Sequence, residues 1–286
     1  MLEQVGGRSF DVTVRSHRLH AQRYGSASAP LVLAVHGLSG NMTSFDFLGE
    51  RLGGEALQLV ALDLRGRGRS ETTPPGTYGW ESHALDLFAV ADALGFERFG
   101  VIGQSMGGSV AMKAAELDGS RLAAIVLIDV AGRVDRGVGP VIESIVSRLD
   151  EVYDSAEAYL DAVKDQGLVQ PWSHHWDRFH RYQLMEVHGG VRSRAHCDAV
   201  AEDRRYTATQ HPYERWRHLT MPTLLLRATR ELLPGAGHVV PAADRDLFLR
   251  EVRSGVVVEV DANHLTINVH AHTASATASF LADVLV

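Results

Sequence analysis

Ser105 stands in Gly103-Gln104-Ser105-Met106-Gly107, after the apolar run Phe99-Gly100-Val101-Ile102 and before the small-residue stretch Gly108-Ser109-Val110-Ala111-Met112-Lys113-Ala114-Ala115. A serine flanked by glycines between a strand and a helix can occupy a sharp, strained turn that lifts its hydroxyl above the sheet. The helix that starts there points its unpaired N–H groups and positive end at any anion forming nearby. The chemistry this suits is attack of the hydroxyl on a carbonyl. Such a nucleophile is weak until a base takes its proton, and the base needs an acid to orient it.

In an open parallel sheet those partners gather at the carboxyl ends of the strands. His264 is the one histidine of 15 that lies between the last strand-like run, Val256–Val260, and the last helix, in Asp261-Ala262-Asn263-His264-Leu265-Thr266. It reads as the general base; the plainer reading is a surface-loop histidine. Two carboxylates compete for the orienting role. Asp129 ends Ile125-Val126-Leu127-Ile128, and Glu231 follows Leu224–Leu226 in Arg227-Ala228-Thr229-Arg230-Glu231. Asp129 is favoured because a short aspartate is readily fixed by backbone N–H groups at a strand end. Glu231 precedes Pro234-Gly235-Ala236-Gly237, a stretch that could carry it away, and it remains the alternative. Asp244 and Asp246 read as first-turn charges of the helix after Pro241. His36-Gly37-Leu38-Ser39-Gly40 closes the third strand-like run. A glycine-flanked turn there can aim the Leu38 N–H at the space served by the Met106 N–H, forming an oxyanion hole. His36 itself reads as a structural hydrogen-bonding residue.

The elements that would hold these groups alternate. Phe10–Arg15 and Leu19–Tyr24 have the apolar–polar alternation of an antiparallel edge hairpin. Leu31–Val35 is continuously apolar, as a parallel strand covered on both faces should be, and Leu57–Leu62, Phe99–Ile102 and Ala124–Ile128 repeat that character. Leu87, Val90, Ala91 and Leu94 share one helical face. From about Arg133 to Thr220 no strand-like run occurs, only helical stretches such as Val141–Val152 and Ala156–Val163. Strands return at Pro222–Leu226 and Val256–Val260, and a final helix sets Thr277, Phe280, Leu281 and Val284 on one face. The pattern predicts an α/β fold: a doubly wound, mostly parallel, eight-stranded sheet with a helical cap inserted after strand 6. Residues 1–132 and 221–286 form the core and 133–220 the cap, within one domain.

Trp172, Trp176 and Phe179 fall at i, i+4, i+7, so one helical face of the cap carries three aromatics. Together with His175 and Arg178, Trp172 and Trp176 are the candidate pocket residues, although a lid packed on the core would show the same spacing. His174-His175 lacks the spacing and acidic partner of a helical zinc site, and no metal is expected. Neither G-x-G-x-x-G in a dinucleotide context nor a P-loop occurs, so no cofactor is expected. The 286 residues carry a net charge of −7, which argues against a nucleic-acid partner. Arg65, Arg67 and Arg69 alternate with glycines and read as a loop. Cys197 is the only cysteine, so no disulfide forms within the chain. Met1–Arg8 lacks the pattern of a signal peptide, and no apolar stretch is long enough to span a bilayer. A cytoplasmic protein acting on a small molecule, with no nucleic-acid or membrane partner, is the expectation; nothing speaks to its oligomeric state.

With these residues the chain resembles the α/β-hydrolase superfamily over nearly its whole length. The resemblance rests on His36-Gly37, Asp63-Leu64-Arg65-Gly66-Arg67-Gly68-Arg69-Ser70, the turn at Ser105 and Asn263-His264. The run Asp-x-Arg-Gly-x-Gly-x-Ser is typical of the capped branch that holds esterases, cofactor-free haloperoxidases, epoxide hydrolases and C–C bond hydrolases. Serine at the turn separates this chain from the epoxide hydrolases and haloalkane dehalogenases, which attack with a carboxylate. The chain departs from the family after the seventh strand, where an aspartate is usual and Ala228-Thr229-Arg230-Glu231 stands instead. Some members carry the acid after the sixth strand, a variant that Ile128-Asp129-Val130 fits. In this it is similar to the amide-cleaving hydrolase of vitamin B6 breakdown. The resemblance implies a serine hydrolase of small esters, lactones or amides working through an acyl-enzyme. C–C bond hydrolysis or perhydrolysis is an alternative, Met106 being common in the haloperoxidase-like relatives, and a non-catalytic receptor of the same fold is another.

Overall fold

A computed structural model describes residues 6–285; Met1–Val5, on which the absence of a leader was partly read, lie outside the described residues, as does Val286. Eight strands form one sheet: β1 (Arg8–Val14), β2 (His17–Tyr24), β3 (Leu31–Val35), β4 (Gln58–Leu62), β5 (Phe99–Gln104), β6 (Leu122–Ile128) and two later strands. Those two are β9 (Thr223–Ala228) and β10 (Gly255–Val260); β7 (Leu184–Val187) and β8 (Gly190–Ser193) pair separately as a hairpin. The order is β1-β2-β4-β3-β5-β6-β9-β10. The β1–β2 hairpin joins β4 antiparallel at one edge, and every other pairing is parallel. β3, β4, β5 and β9 are buried along their whole length, which explains their predominantly apolar character. Each Leu or Val so buried contributes roughly 1.5–3 kcal/mol.

Helices cover both faces. On one lie α2 (Trp80–Ala93), α3 (Met106–Asp118) and α8 (Ala242–Glu251), packed through Leu87, Val90, Val110, Ala114 and Phe248. On the other lie α1 (Asp46–Leu52) and α9 (Ala271–Leu285), packed through Phe47, Leu48, Ala274 and Leu281. From β3 the chain goes to β4 on one side and then crosses to β5 on the other. The crevice that this reversal opens at the strand carboxyl ends is where doubly wound sheets place their ligands.

Between β6 and β9 come α4 (Val138–Val146), α5 (Ala156–Lys164), α6 (His174–Tyr182), the β7–β8 hairpin and α7 (Cys197–Ala208). Two readings of this insertion need correction. It contains two strands, not only helices: each is four residues long and they turn at His188-Gly189, too short for an alternation to register. The helix expected over Val141–Val152 begins earlier, with Pro140 in its first turn, and ends at Val146. Near its end Trp216 and Leu219 pack into the main core, and Trp216 Nε1 donates to Ala131 O at 2.8 Å.

Candidate active site

The Ser105 backbone adopts φ +54° and ψ −123° at the junction of β5 and α3. A non-glycine residue held there stores about 1–3 kcal/mol of strain, which only tight packing maintains. Its glycine neighbours permit that packing. A Cβ on Gly107 would lie 1.9 Å from Val35 O, and one on Gly103 would lie 2.3 Å from Gly107 O. Strand, turn and helix thus approach at backbone contact distance, and the half-buried Ser105 side chain faces a cavity.

Asp129 and His264 come together at the same end of the sheet. His264 Nδ1 donates to Asp129 Oδ2 at 2.9 Å, both side chains being buried. The Ala228 N–H donates to Asp129 Oδ1 at 2.9 Å, so the carboxylate is clamped between the ends of β6 and β9. Asp129 also has a left-handed backbone, φ +49°, which aspartate tolerates better than most residues. The His264 loop is braced by Asn263, whose Oδ1 accepts from the Leu265 and Thr266 N–H groups while its Nδ2 donates to Leu168 O in the insertion. Glu231 is elsewhere: exposed, it accepts from the Gly235 N–H at 2.7 Å.

Leu38 and Met106 line the cavity beside Ser105, and among the described residues neither N–H has a protein acceptor. His36 holds the turn before Leu38. Its Nδ1 donates to Gly37 O at 2.7 Å and its Nε2 accepts from the Leu64 N–H at 3.1 Å. Burial pushes its pKa down to about 3, so it stays neutral and its ring is fully engaged by backbone. The Leu38 carbonyl is held in turn by Arg67 Nε at 3.1 Å. Arg67 is buried, and its Nη2 pairs at 2.5 Å with Asp203 of α7. Asp203 also meets His83 Nε2 at 3.0 Å and accepts from the Gly79 N–H at 2.7 Å. Burial would raise the Asp203 pKa, but His83, Arg67 and Gly79 together hold it below the usual carboxylate range. Arg65 likewise makes two bonds to Asp86, at 2.8 and 2.6 Å. The arginine-rich loop is therefore internal bracing.

Of the candidate pocket residues, Trp176 lines the cavity and the other three do not. Trp172 precedes α6 and stacks on His180, 5.5 Å between centroids. His175 turns to α1, meeting Glu50 at 3.3 Å and the Phe47 ring at 5.2 Å. Arg178 pairs with Asp46 at 2.7 Å. The polar side of α6 is thus its docking face on α1. Two residues unremarked in the sequence enter the site instead. Gln104 Nε2 lies 3.3 Å from His264 Nε2, the nitrogen that a hydroxyl at Ser105 would have to reach, and Ser105 Oγ makes no hydrogen bond to that ring. His180 lies on the cavity wall with Trp176 and Phe179. Gln104 could have been found from its position beside Ser105; nothing in the spacing marks His180. The cavity is about 550 Å³ and mostly apolar, with the sheet ends as floor and the insertion as roof. Among the described residues no cluster of three His, Cys, Asp or Glu could hold a metal ion, and no helix is long and apolar enough to cross a membrane.

Comparison with known proteins adds to this geometry. The model of the α/β hydrolase fold family matches residues 30–267. An N-formylmaleamate deformylase of Pseudomonas putida is 36% identical over 119 residues, 42% of this chain and 44% of the relative. Lipase LipV of Mycobacterium tuberculosis is 34% identical over 141 residues, 49% of this chain and 52% of the relative. The matches thus span about half the length of these curated relatives. Among solved structures, an E-2-(acetamidomethylene)succinate hydrolase superposes with a TM-score of 0.85 at 23% identity, over 96% of this chain and 99% of the other. A hydrolase from Novosphingobium aromaticivorans gives 0.79 at 24% identity, over 97% and 99%. At such identities the likeness is one of fold.

Proposed function

The chain belongs to the α/β hydrolase fold family, and from that premise we propose that it is a serine hydrolase cleaving a small carboxylic ester, lactone or amide through an acyl-enzyme. The observation that carries this reading is the 2.9 Å bond from His264 Nδ1 to Asp129, with His264 and Ser105 on the wall of one cavity. With its proton held on Nδ1, His264 presents Nε2 as the acceptor. Substrate entry draws the Ser105 hydroxyl to Nε2 and displaces the Gln104 amide. Ser105 Oγ bonds to the carbonyl carbon as its proton passes to Nε2, and the Leu38 and Met106 N–H groups receive the oxyanion. The tetrahedral intermediate collapses, the C–O or C–N bond breaks, and Nε2 returns the proton to the departing alcohol or amine. Water then repeats the sequence on the acyl-enzyme and releases the acid. Asp129 stabilises the imidazolium without taking its proton. The relatives' names, a lipase and a deformylase, agree with acyl release.

The test is turnover of p-nitrophenyl esters from acetate to octanoate by the wild-type protein and Ser105→Ala. Multiple turnover lost in the variant is the expected result. Activity in Ser105→Ala near that of wild type would overturn the assignment.

A further inference from the structure

The roof of the cavity differs in character from its floor. Three arginines line it, Arg148, Arg204 and Arg215, and among the described residues no aspartate or glutamate does. Two of them have carboxylate partners: Arg204 pairs with Glu143, and Arg215 Nε with Glu116 at 3.0 Å. Arg148 has no carboxylate partner. Its Nε donates to Ser144 O at 3.0 Å and its Nη2 to Gln166 Oε1 at 2.6 Å, which fixes the guanidinium plane. The remaining nitrogen, Nη1, is buried with no protein acceptor.

Two further donors on the same wall are in the same condition. His180 Nε2 and Trp176 Nε1 are buried without a protein partner, and their rings lie 6.3 Å apart. His180 Nδ1 lies 3.4 Å from the Tyr159 hydroxyl. Burial first, and then the charge of Arg148, push the His180 pKa down to about 3, so the ring is neutral. With Nδ1 accepting from Tyr159, the single ring hydrogen sits on Nε2. Buried donors left unpaired are costly and uncommon, and a fixed guanidinium is the side chain best suited to a planar carboxylate.

We propose that Arg148, with His180 and Trp176, forms a carboxylate-binding subsite, and that the substrate opened at Ser105 carries one carboxylate remote from its scissile bond. This rests on the hydrolase reading above and specifies its substrate class. One unneutralised cation matches a single negative charge, which favours a carboxylate over a phosphate dianion.

The experiment compares mono-p-nitrophenyl glutarate with p-nitrophenyl pentanoate, which has the same chain length without the second carboxylate. Wild type should favour the anionic ester at least tenfold in kcat/KM, and in Arg148→Met that ratio should fall to about one. Arg148→Lys, which keeps the charge, should fall between them; it decides the matter if Arg148→Met shows no cooperative melting transition. A second arm needs no turnover: calorimetric titration of Ser105→Ala with monomethyl glutarate should show binding that Ser105→Ala/Arg148→Met loses. No anionic preference, or a preference that survives in Arg148→Met, overturns the subsite. Tighter Arg148-dependent binding of inorganic phosphate overturns the choice of carboxylate. Arg148-dependent binding with no turnover of any ester, lactone or amide of such an acid leaves the subsite standing and removes the hydrolase reading instead.

Discussion

Asp129→Asn tests the catalytic arrangement at the point where the geometry makes an unusual demand. An asparagine is nearly isosteric but has one acceptor and one donor in place of two acceptors. The Ala228 N–H, 2.9 Å from Oδ1, requires an acceptor, so the amide oxygen must turn to it. The amide nitrogen then faces His264 Nδ1, which now sits 2.9 Å from a carboxylate oxygen. Two donors cannot share that contact, so the imidazole gives up its Nδ1 hydrogen and carries it on Nε2. In that tautomer Nε2 cannot take the Ser105 proton. Loss of the correct tautomer in a serine triad lowers kcat by roughly 10⁴-fold, about 5.4 kcal/mol of activation free energy. The assay is kcat on the best p-nitrophenyl ester for wild type, Asp129→Asn and Glu231→Gln, with thermal melting to confirm the fold. Glu231→Gln should stay within threefold of wild type, since that side chain is exposed and bonded to Gly235. A fall of less than tenfold in Asp129→Asn would refute the reasoning, and a large fall in Glu231→Gln would move the acid to Glu231.

Other perturbations separate stability from activity. Ser105→Gly should be inactive yet more stable by about 1 kcal/mol, because glycine relieves most of the strain at φ +54° while costing some chain entropy. Ser105→Ala should be equally inactive with no such gain in melting temperature. Asp203→Asn strands the buried Arg67 guanidinium and should cost about 3–5 kcal/mol; denaturant unfolding should show the loss. Acid should weaken the fold through its buried histidines. His36 and His180 are held at about 3, so below pH 6.5 the unfolded chain takes up protons that the folded chain refuses. At pH 5 that removes about 2 kcal/mol per histidine. Asp46, pushed up to about 6 by burial, works in the opposite direction and returns about 1.4 kcal/mol, and Asp63, also raised by burial, acts the same way. Urea unfolding should therefore give a lower midpoint at pH 5 than at pH 7.5, and a higher one would contradict the buried neutral histidines.

The floor of the site was legible because its signals are local. The glycines around Ser105 are demanded by backbone contacts within a few residues of the turn or on an adjoining strand, and continuously apolar runs mark strands covered on both faces. Asp129 could be preferred to Glu231 because a strand end supplies N–H groups, and Ala228 supplies one. The roof was not legible in the same way. Ser173 is extended at φ −136° and ψ 168°, so the helical register drawn through Trp172 breaks before α6 begins. His175 and Arg178 are claimed by Glu50 and Asp46, more than a hundred residues away in the chain. Periodicity reports which face of a helix is polar; it does not report whether that polarity meets solvent, ligand or another helix's carboxylates. The four-residue strands β7 and β8 lie below the length at which alternation means anything, and Arg148 is conspicuous only once the partners of its neighbours are known.

The bond from Arg67 to the Leu38 carbonyl has a bearing on how such a protein can be re-engineered. An insertion between two strands invites treatment as an interchangeable part, replaced wholesale to redirect specificity while the sheet keeps the chemistry. Here the guanidinium that steadies the turn beside Ser105 takes its counter-charge from Asp203, in the last helix of the insertion. A transplanted segment without a carboxylate at that place would bury an uncompensated cation one hydrogen bond from the Leu38 peptide. Successful grafts should therefore either carry an acid equivalent to Asp203 or exchange Arg67 in the same step.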